Sequence, residues 1–558
     1  MQENSELKPA HLFQDNWEYI NCQNDTLESD SEDSSKPPMH EFIRNWALEF
    51  NITGHAVSAL MKGLQEYGCD LPDDSRGLLK TPKPRTISIS KLSGGDYTYF
   101  GVQSGLNDVL RSVNTDFDSI TISIHIDGLA TFKSKNMTVW PIQATVENIV
   151  EISNVPFIIG LYSGGIKPTN TDYLNDLVNE LCRLQSEGYN GKPLNISNVI
   201  CDAPARSHVK GIFQFNGTYG CDFCEIKGQF DGTMLFLEKG NPRTNESFRL
   251  QTNSRHHKTE SPFLRLNIDM IKQFPLDPMH GIDLGVVKRL LLLWKEGPLP
   301  FRLSSTQVKT MNLFIKNIRN CIPPAFNRKP RSMDELKLWK ATEFRTFVMY
   351  TGIILLREIL DRKKYIHFLS LCVAVRIMYN DLLLEEHKDY AEHLLLYFVN
   401  KVKVMYGNRF VVYNVHSLLH ICQIAVDNRS LQRVTAYRFE NNMSKIRSWI
   451  RGTGNPIIQI SNRLMEHRAV PSIIQAPRKT VLQPGLCYEI DNHKFCLLHE
   501  IGLNSSLCEI FVETVSLFSE PCDSRIAFIF KGFKSNTQIK TIENSNITKP
   551  LQLFEEYL

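Results

Sequence analysis

Residues 119–128 read Ser-Ile-Thr-Ile-Ser-Ile-His-Ile-Asp-Gly, and residues 194–202 read Leu-Asn-Ile-Ser-Asn-Val-Ile-Cys-Asp. The first stretch alternates β-branched and polar side chains, the pattern of a strand with two different faces. The second is a short apolar run, the pattern of a buried strand. Each ends on an aspartate, Asp127 and Asp202. Between them, residues 139–148 (VWPIQATVEN) and 156–162 (PFIIGLY) read as two further strands in close succession. Residues 171–187 read as a helix, with Tyr173, Leu174, Leu177, Val178, Leu181 and Leu184 on one face.

Three strands, a helix and a fourth strand predict an α/β domain opening in the RNase-H-like order. Asp127 and Asp202 then stand side by side on one rim of the sheet if their strands are neighbours. Two aspartates and a third acid from a helix can hold two divalent cations about 3.5–4 Å apart. Oxygen ligands of this kind suit Mg2+ or Mn2+. Glu440, on the predicted helix 435–451, is the candidate third acid. Its rival is Glu343, which with Arg345 nearby reads rather as an ion-pair residue. The 238 residues from Asp202 to Glu440 must contain a helical insertion, because residues 283–295, 304–319, 343–360, 364–384 and 388–406 all carry helical periodicity.

Cys221 and Cys224 form a Cys-x-x-Cys pair soon after Asp202. Alone, such a pair is half a zinc site, a redox pair or chance, and no thioredoxin-like context supports the redox reading. His416 and His420, four apart on a helical face, can supply the two ligands that a closed Cys2His2 site lacks. Such a site would clip the ends of the insertion together. Asp277 and His280 form a third polar cluster, in PLDPMHGIDLG just ahead of a helix. They read either as a capping loop or as support for the acid site, where His280 could contact a scissile phosphate.

The flanks carry less chemistry. Residues 1–40 hold nine acidic side chains against two lysines and predict a disordered acidic tail, so residues 41–558 hold 61 basic and 51 acidic side chains, net +10. Residues 41–82 predict a small helical module, 83–118 an irregular linker, and 480–558 a small β-rich region. The sequence therefore divides into a core beginning at 119–205, an insertion at 206–430 and a returning helix at 431–465. No apolar run of 18 residues exists, and the polar start lacks a secretory h-region. Thirteen cysteines, an odd and scattered set, point to reduced thiols and a nuclear or cytosolic setting, with the nucleus preferred.

The ordered set of motifs resembles one family. Asp127-Gly, Trp140-Pro141, Tyr162-x-Gly164, Asp202-x-Pro204-Ala205, Cys-x-x-Cys, Asp-x-Met-His280, His-x-x-x-His420 and Phe439-Glu440-Asn441 resemble the transposases of the CACTA–Mirage–Chapaev group, including the transposase domain-containing proteins of invertebrates. The paired cysteines and histidines also resemble the zinc-holding pairs of the V(D)J recombinase catalytic subunit. The resemblance covers about residues 119–465. It implies that Asp127, Asp202 and Glu440 are the catalytic acids and that Cys221, Cys224, His416 and His420 hold structural zinc. It further implies a homo-oligomeric enzyme that cuts and joins double-stranded DNA at transposon ends and in target DNA. No site-specific DNA-binding domain is recognisable, so phosphate contacts fall to basic side chains. Arg206, Lys210, Arg328, Lys329, Arg331 and Lys340 are the candidates. The alternative function is a domesticated DNA-binding or scaffold protein without catalysis. A zinc-dependent hydrolase fits poorly, because both ligand pairs look like closed structural ligands.

Overall fold

The protein is described from a computed structural model. The structure describes residues 38–83, 86–130, 137–165, 167–319, 322, 326, 328–470, 487–490, 494–501, 505–511, 514–524, 530–532, 537–543 and 547–551. Almost all of the predicted acidic tail lies outside them. The chain divides into two compact units, residues 1–73 and 74–558.

In the first unit, helix α1 (Met39–Glu49) buries Ile43, Ala47 and Leu48. Helix α2 (Gly54–Glu66) buries Val57 and Met61, and its start is capped by Thr53, whose Oγ1 accepts from the Ala56 N–H at 3.1 Å.

The second unit opens with a short helix α3 (Ser75–Leu79) and then departs from the predicted linker. Residues 90–110 form strands β1 (Ser90–Leu92) and β2 (Gly95–Tyr99) and helix α4 (Val102–Leu110). Two residues, Ser93 and Gly94, connect the strands, both with positive φ (53° and 85°), the geometry that lets a two-residue hairpin match strand twist. The strands are too short for their periodicity to show in sequence.

The remaining strands are β3 (Ile120–Ile126), β4 (Leu129–Ala130), β5 (Thr138–Val146), β6 (Phe157–Gly164) and β7 (Leu194–Ile200). They order as β1-β2-β6-β5-β3-β7, with β4 on β5. Every pairing is antiparallel except β3 with β7, which is parallel. Beyond β7 the chain returns at residues 273–276: Val199 N–H donates to Gln273 O at 2.7 Å, and Cys201 bridges Leu276 in parallel.

The two faces of this mixed sheet are covered differently. Ile122, Ile124, Ile126, Trp140, Ile142 and Ala144 pack with α5 (Asn175–Glu187) through Leu177, Val178 and Leu181. Helix α6 (Ala203–Lys210) follows β7 directly. The opposite face, with Val139, Ile158 and Leu161, receives α15 (Tyr437–Ser448) and α16 (Pro456–Arg468) through Met443, Ile446, Ile457 and Ile460. Side chains of β3 alternate between these faces, so Ser123 and His125 share the α15 side, where His125 stacks on Phe439.

Between α6 and α15 lies a hairpin, β8 (Gln229–Phe230) and β9 (Met234–Leu235), followed by a helical mass. Its helices are α7 (Asn245–Arg249), α8 (Lys288–Glu296), α9 (Ser305–Ile318), α10 (Ala341–Thr346), α11 (Gly352–Leu355), α12 (Arg362–Met378), α13 (Asp381–Tyr406) and α14 (Tyr413–Asp427). The predicted helix 343–360 is interrupted by a π-helical turn, Phe347–Thr351. The predicted 364–384 helix instead ends at Met378, because the Asn380 side chain accepts from the Leu383 N–H at 3.0 Å and starts α13. The C-terminal residues form a five-stranded antiparallel sheet from β10 (Cys487–Ile490), β11 (Lys494–Ile501), β12 (Ser505–Phe511), β15 (Thr537–Glu543) and β16 (Ile547–Leu551), with a separate hairpin of β13 (Thr514–Ser516) and β14 (Phe530–Gly532). Among the described residues no helix is long and apolar enough to cross a membrane.

Candidate functional site

The parallel register of β3 and β7 pairs His125 with Ile200. Asp127 and Asp202 lie two residues beyond those partners, so both leave the sheet at the same rim. Asp202 caps α6, its Oδ1 accepting from the Ala205 N–H at 2.7 Å. Asp127 Oδ1 accepts from the Gly128 N–H at 2.6 Å. Glu440 enters from the first turn of α15. A carboxylate oxygen of Asp127, one of Glu440 and a ring nitrogen of His125 all lie within 4.8 Å of one another, an arrangement able to hold a metal ion.

The charges at this rim repel. Burial pushes the Asp127 carboxyl well above its ordinary value, and the charges of Asp202 and Glu440 push it further. Burial likewise raises Glu440, with Asp277 and Asp202 adding to it and His280 opposing. A cation relieves both penalties at once.

His280 already supplies one positive group. Burial by itself would lower its pKa, but the hydrogen bond and charge of Asp277, with the charges of Asp127 and Asp202, lift it to about 9. Asp277 follows Leu276, next to the end of β7, and Asp277 Oδ2 lies 2.5 Å from His280 Nδ1. Its carboxylate also accepts from the Met279 and His280 N–H groups, each at 3.1 Å, and from the Ala436 N–H at 2.9 Å. One side chain thus fixes both His280 and the start of the helix carrying Glu440.

A second cluster is built on the loop after α6 and on α14. Cys221 Sγ and Cys224 Sγ are 3.6 Å apart. His420 Nε2 lies 3.6 Å from Cys221 Sγ, His416 Nε2 lies 3.4 Å from Cys224 Sγ, and the two Nε2 atoms are 3.2 Å apart. All four side chains are buried and could hold a metal ion. The His416–His420 spacing of one helical turn gives both rings the same face. Phe236 packs on His416 and Phe223 on His420, with ring centroids 5.5 and 5.8 Å apart. The Cys224 thiol is drawn far down by its hydrogen bond with Cys221 and by both histidines, while burial raises Cys221.

Two of the proposed DNA contacts are corrected. Arg206 is 2% exposed and Lys210 is 0% exposed, so neither reaches a phosphate. Their four-residue spacing turns both inward from α6. Arg206 pairs with Asp222, and Lys210 Nζ lies 5.0 Å from the Phe248 ring centre and 5.6 Å from that of Phe274. Arg331 is engaged by Glu343, with Nε–Oε1 at 2.8 Å and Nη2–Oε2 at 2.6 Å. Glu343 is therefore an ion-pair residue. Arg328, Lys329 and Lys340 are exposed.

Two important residues carried only faint sequence signals. His125 stands two positions before Asp127, and its ring stacks on Phe439 at 4.7 Å and 8°. Asp222 sits between the paired cysteines. A scan of the sequence against protein-family models found no match, and neither did a search of curated proteins.

Proposed function

We propose that this chain is a transposase-like DNA nuclease and strand transferase. The observation that carries the reading is the convergence of Asp127 and Asp202, from neighbouring parallel strand ends, with Glu440 from α15. The strand order supports an RNase-H-like core: an antiparallel meander β3-β5-β6, then β7 parallel to β3, then residues 273–276 parallel to β7. The helical mass then reads as an insertion between that edge and α15.

The residues fit divalent cations. The carboxylates of Asp127 and Glu440 meet within 4.8 Å, both with raised proton affinity; the charge of Asp202 acts on both, and the cationic group that acts on both is His280. Mg2+ or Mn2+ held by Asp127 and Glu440, with Asp202 at the same rim, would supply activation of the attacking oxygen and stabilisation of the leaving one. The chain's own residues do the positioning. The Asp202 cap fixes its carboxylate at the start of α6. Asp277 orients His280 and keeps it protonated, and His280 is 29% exposed, so its second N–H can meet a phosphate oxygen.

The Cys2His2 cluster fits structural zinc. Tetrahedral zinc with Zn–S near 2.3 Å and Zn–N near 2.0–2.1 Å requires S–S, S–N and N–N separations of roughly 3.8, 3.6 and 3.3 Å. The observed values are 3.6, 3.4–3.6 and 3.2 Å. All four positions are protein ligands, which suits a brace and not a catalytic ion.

The test is cleavage of DNA carrying the element's terminal repeats, with Mg2+ or Mn2+. Asp127→Asn, Asp202→Asn and Glu440→Gln should each abolish strand cleavage and leave DNA binding intact. Cleavage surviving in all three variants overturns the catalytic assignment. Binding without cleavage in the unaltered protein leaves a DNA-binding scaffold.

A further inference from the structure

We infer that His125 is a metal ligand, completing with Asp127 and Glu440 a nitrogen-bearing cation site that favours Mn2+ or another first-row transition ion over Mg2+. This rests on the metal-dependent reading of the acids and goes beyond it, since that reading uses carboxylates alone.

Four observations converge. Asp127 follows the end of β3 at Ile126, two positions after His125, and the two side chains come to one site. The Phe439 stack presses the imidazole against α15, beside Glu440. A ring nitrogen and both carboxylates come within 4.8 Å of one another. Yet Nε2 of His125 is fully buried and has no hydrogen-bond partner. A buried ring nitrogen left without a hydrogen-bond partner is costly. A cation between the groups removes that cost, because ligand atoms about 2.0–2.2 Å from an ion stand up to roughly 4.4 Å apart.

The other ring nitrogen has the partner a ligand needs. Nδ1 lies 3.4 Å from Gln143 Nε2, and Gln143 Oε1 accepts from Asn442 Nδ2 at 2.7 Å. Two linked amides can run in either sense. With both amides turned over, Gln143 Oε1 accepts from Nδ1–H, Gln143 Nε2 donates to Asn442 Oδ1, and Nε2 of His125 keeps its lone pair free for a cation. Metal-binding histidines characteristically donate their second N–H to such an acceptor. The preference follows from donor chemistry: carboxylates alone suit Mg2+, whereas imidazole raises affinity for transition ions.

Pulsed electron paramagnetic resonance of the full-length, zinc-loaded protein with added Mn2+ decides it. The unaltered protein should show the 14N coupling of a directly bound imidazole, with zinc content unchanged so that His416 and His420 stay occupied. His125→Gln should lose the coupling and bind Mn2+ at least tenfold more weakly, with a smaller loss for Mg2+. His280→Gln should keep the coupling. Gln143→Leu, which removes the acceptor, should weaken Mn2+ binding roughly 10–100-fold. Bound Mn2+ without 14N coupling in the unaltered protein overturns the inference even if His125→Gln fails to fold. Coupling that survives in His125→Gln overturns it too. Failure of the protein to bind Mn2+ at all removes the underlying metal reading and this inference with it.

Discussion

Arg206 and Asp222 form a buried ion pair, Nε to Oδ2 at 2.5 Å, and the Tyr413 hydroxyl closes it into a triangle at 2.7 Å from each partner. Arg206 lies in α6, four residues after Asp202; Asp222 lies between the two cysteines; Tyr413 lies three residues before His416. Arg206 Nη1 also reaches the carbonyls of Cys201 and Pro275, each at 3.3 Å. The triangle therefore fastens the Cys/His cluster to the strand ends that carry the acids.

Breaking this pair from one side strands a buried charge. Arg206→Met should cost about 3–5 kcal/mol of stability by denaturant unfolding, and Arg206→Met with Asp222→Leu should cost less than either alone. Burial would raise the Asp222 carboxyl, but Arg206 and Lys210 hold it well below the ordinary range. A depressed folded pKa stabilises above the unfolded value of about 3.9 and is lost as pH falls below it. Acid unfolding should therefore steepen below about pH 4.

The Cys/His cluster predicts one tightly held ion per chain. Cys221→Ser or His420→Ala should abolish stoichiometric metal in elemental analysis and lower the melting temperature. Chelation of the unaltered protein should reproduce the drop. Full metal content in either variant overturns the four-ligand assignment.

Glu343 tests the division between structural carboxylates and those proposed to be catalytic. It accepts two bonds from Arg331 and one from the Lys340 N–H at 2.8 Å. Glu343→Gln should cost about 1–3 kcal/mol on unfolding and leave cleavage measurable at permissive temperature. Loss of cleavage with unchanged stability makes Glu343, not Glu440, the third acid.

In metal-free protein the His280 imidazole should titrate near pH 9, far above the ordinary value of about 6.5. A raised folded pKa stabilises fully below about 6.5, and that stabilisation disappears as pH rises through 9. Asp277→Asn should bring the titration down, read from the ring resonances by NMR.

DNA affinity should depend on the exposed Arg328, Lys329 and Lys340. Arg328→Gln with Lys329→Gln should reduce the slope of log affinity against log salt by roughly 0.9 for each phosphate that is no longer neutralised. An unchanged slope excludes both residues from the interface.

Some of this was legible locally. The alternation in residues 120–126 and the apolar run 194–200 specify strands without tertiary help, because a strand's side-chain period is written directly in sequence. The aspartates at their ends and the one-turn spacing of His416 and His420 are legible for the same reason. Strands β1 and β2 were not, since three and five residues are too few for a period to emerge.

What the sequence determined, then, were the local periods and the residue types that can bind metal. Tertiary structure alone decided which of those residues meet. Cys221 and His420 are 199 residues apart, and no local rule brings them together. Glu343 and Glu440 both start helices, and only the packing of α15 on the sheet separates their roles. Arg206 and Lys210 look like surface cations until α6 turns them into the core, where Asp222 and aromatic rings replace water around them. His125 is an ordinary strand residue until Phe439, arriving from 314 positions further along, presses its ring beside two acids. Charge and coordination depend on distance in space, and the chain encodes that distance only through the packing of its whole core.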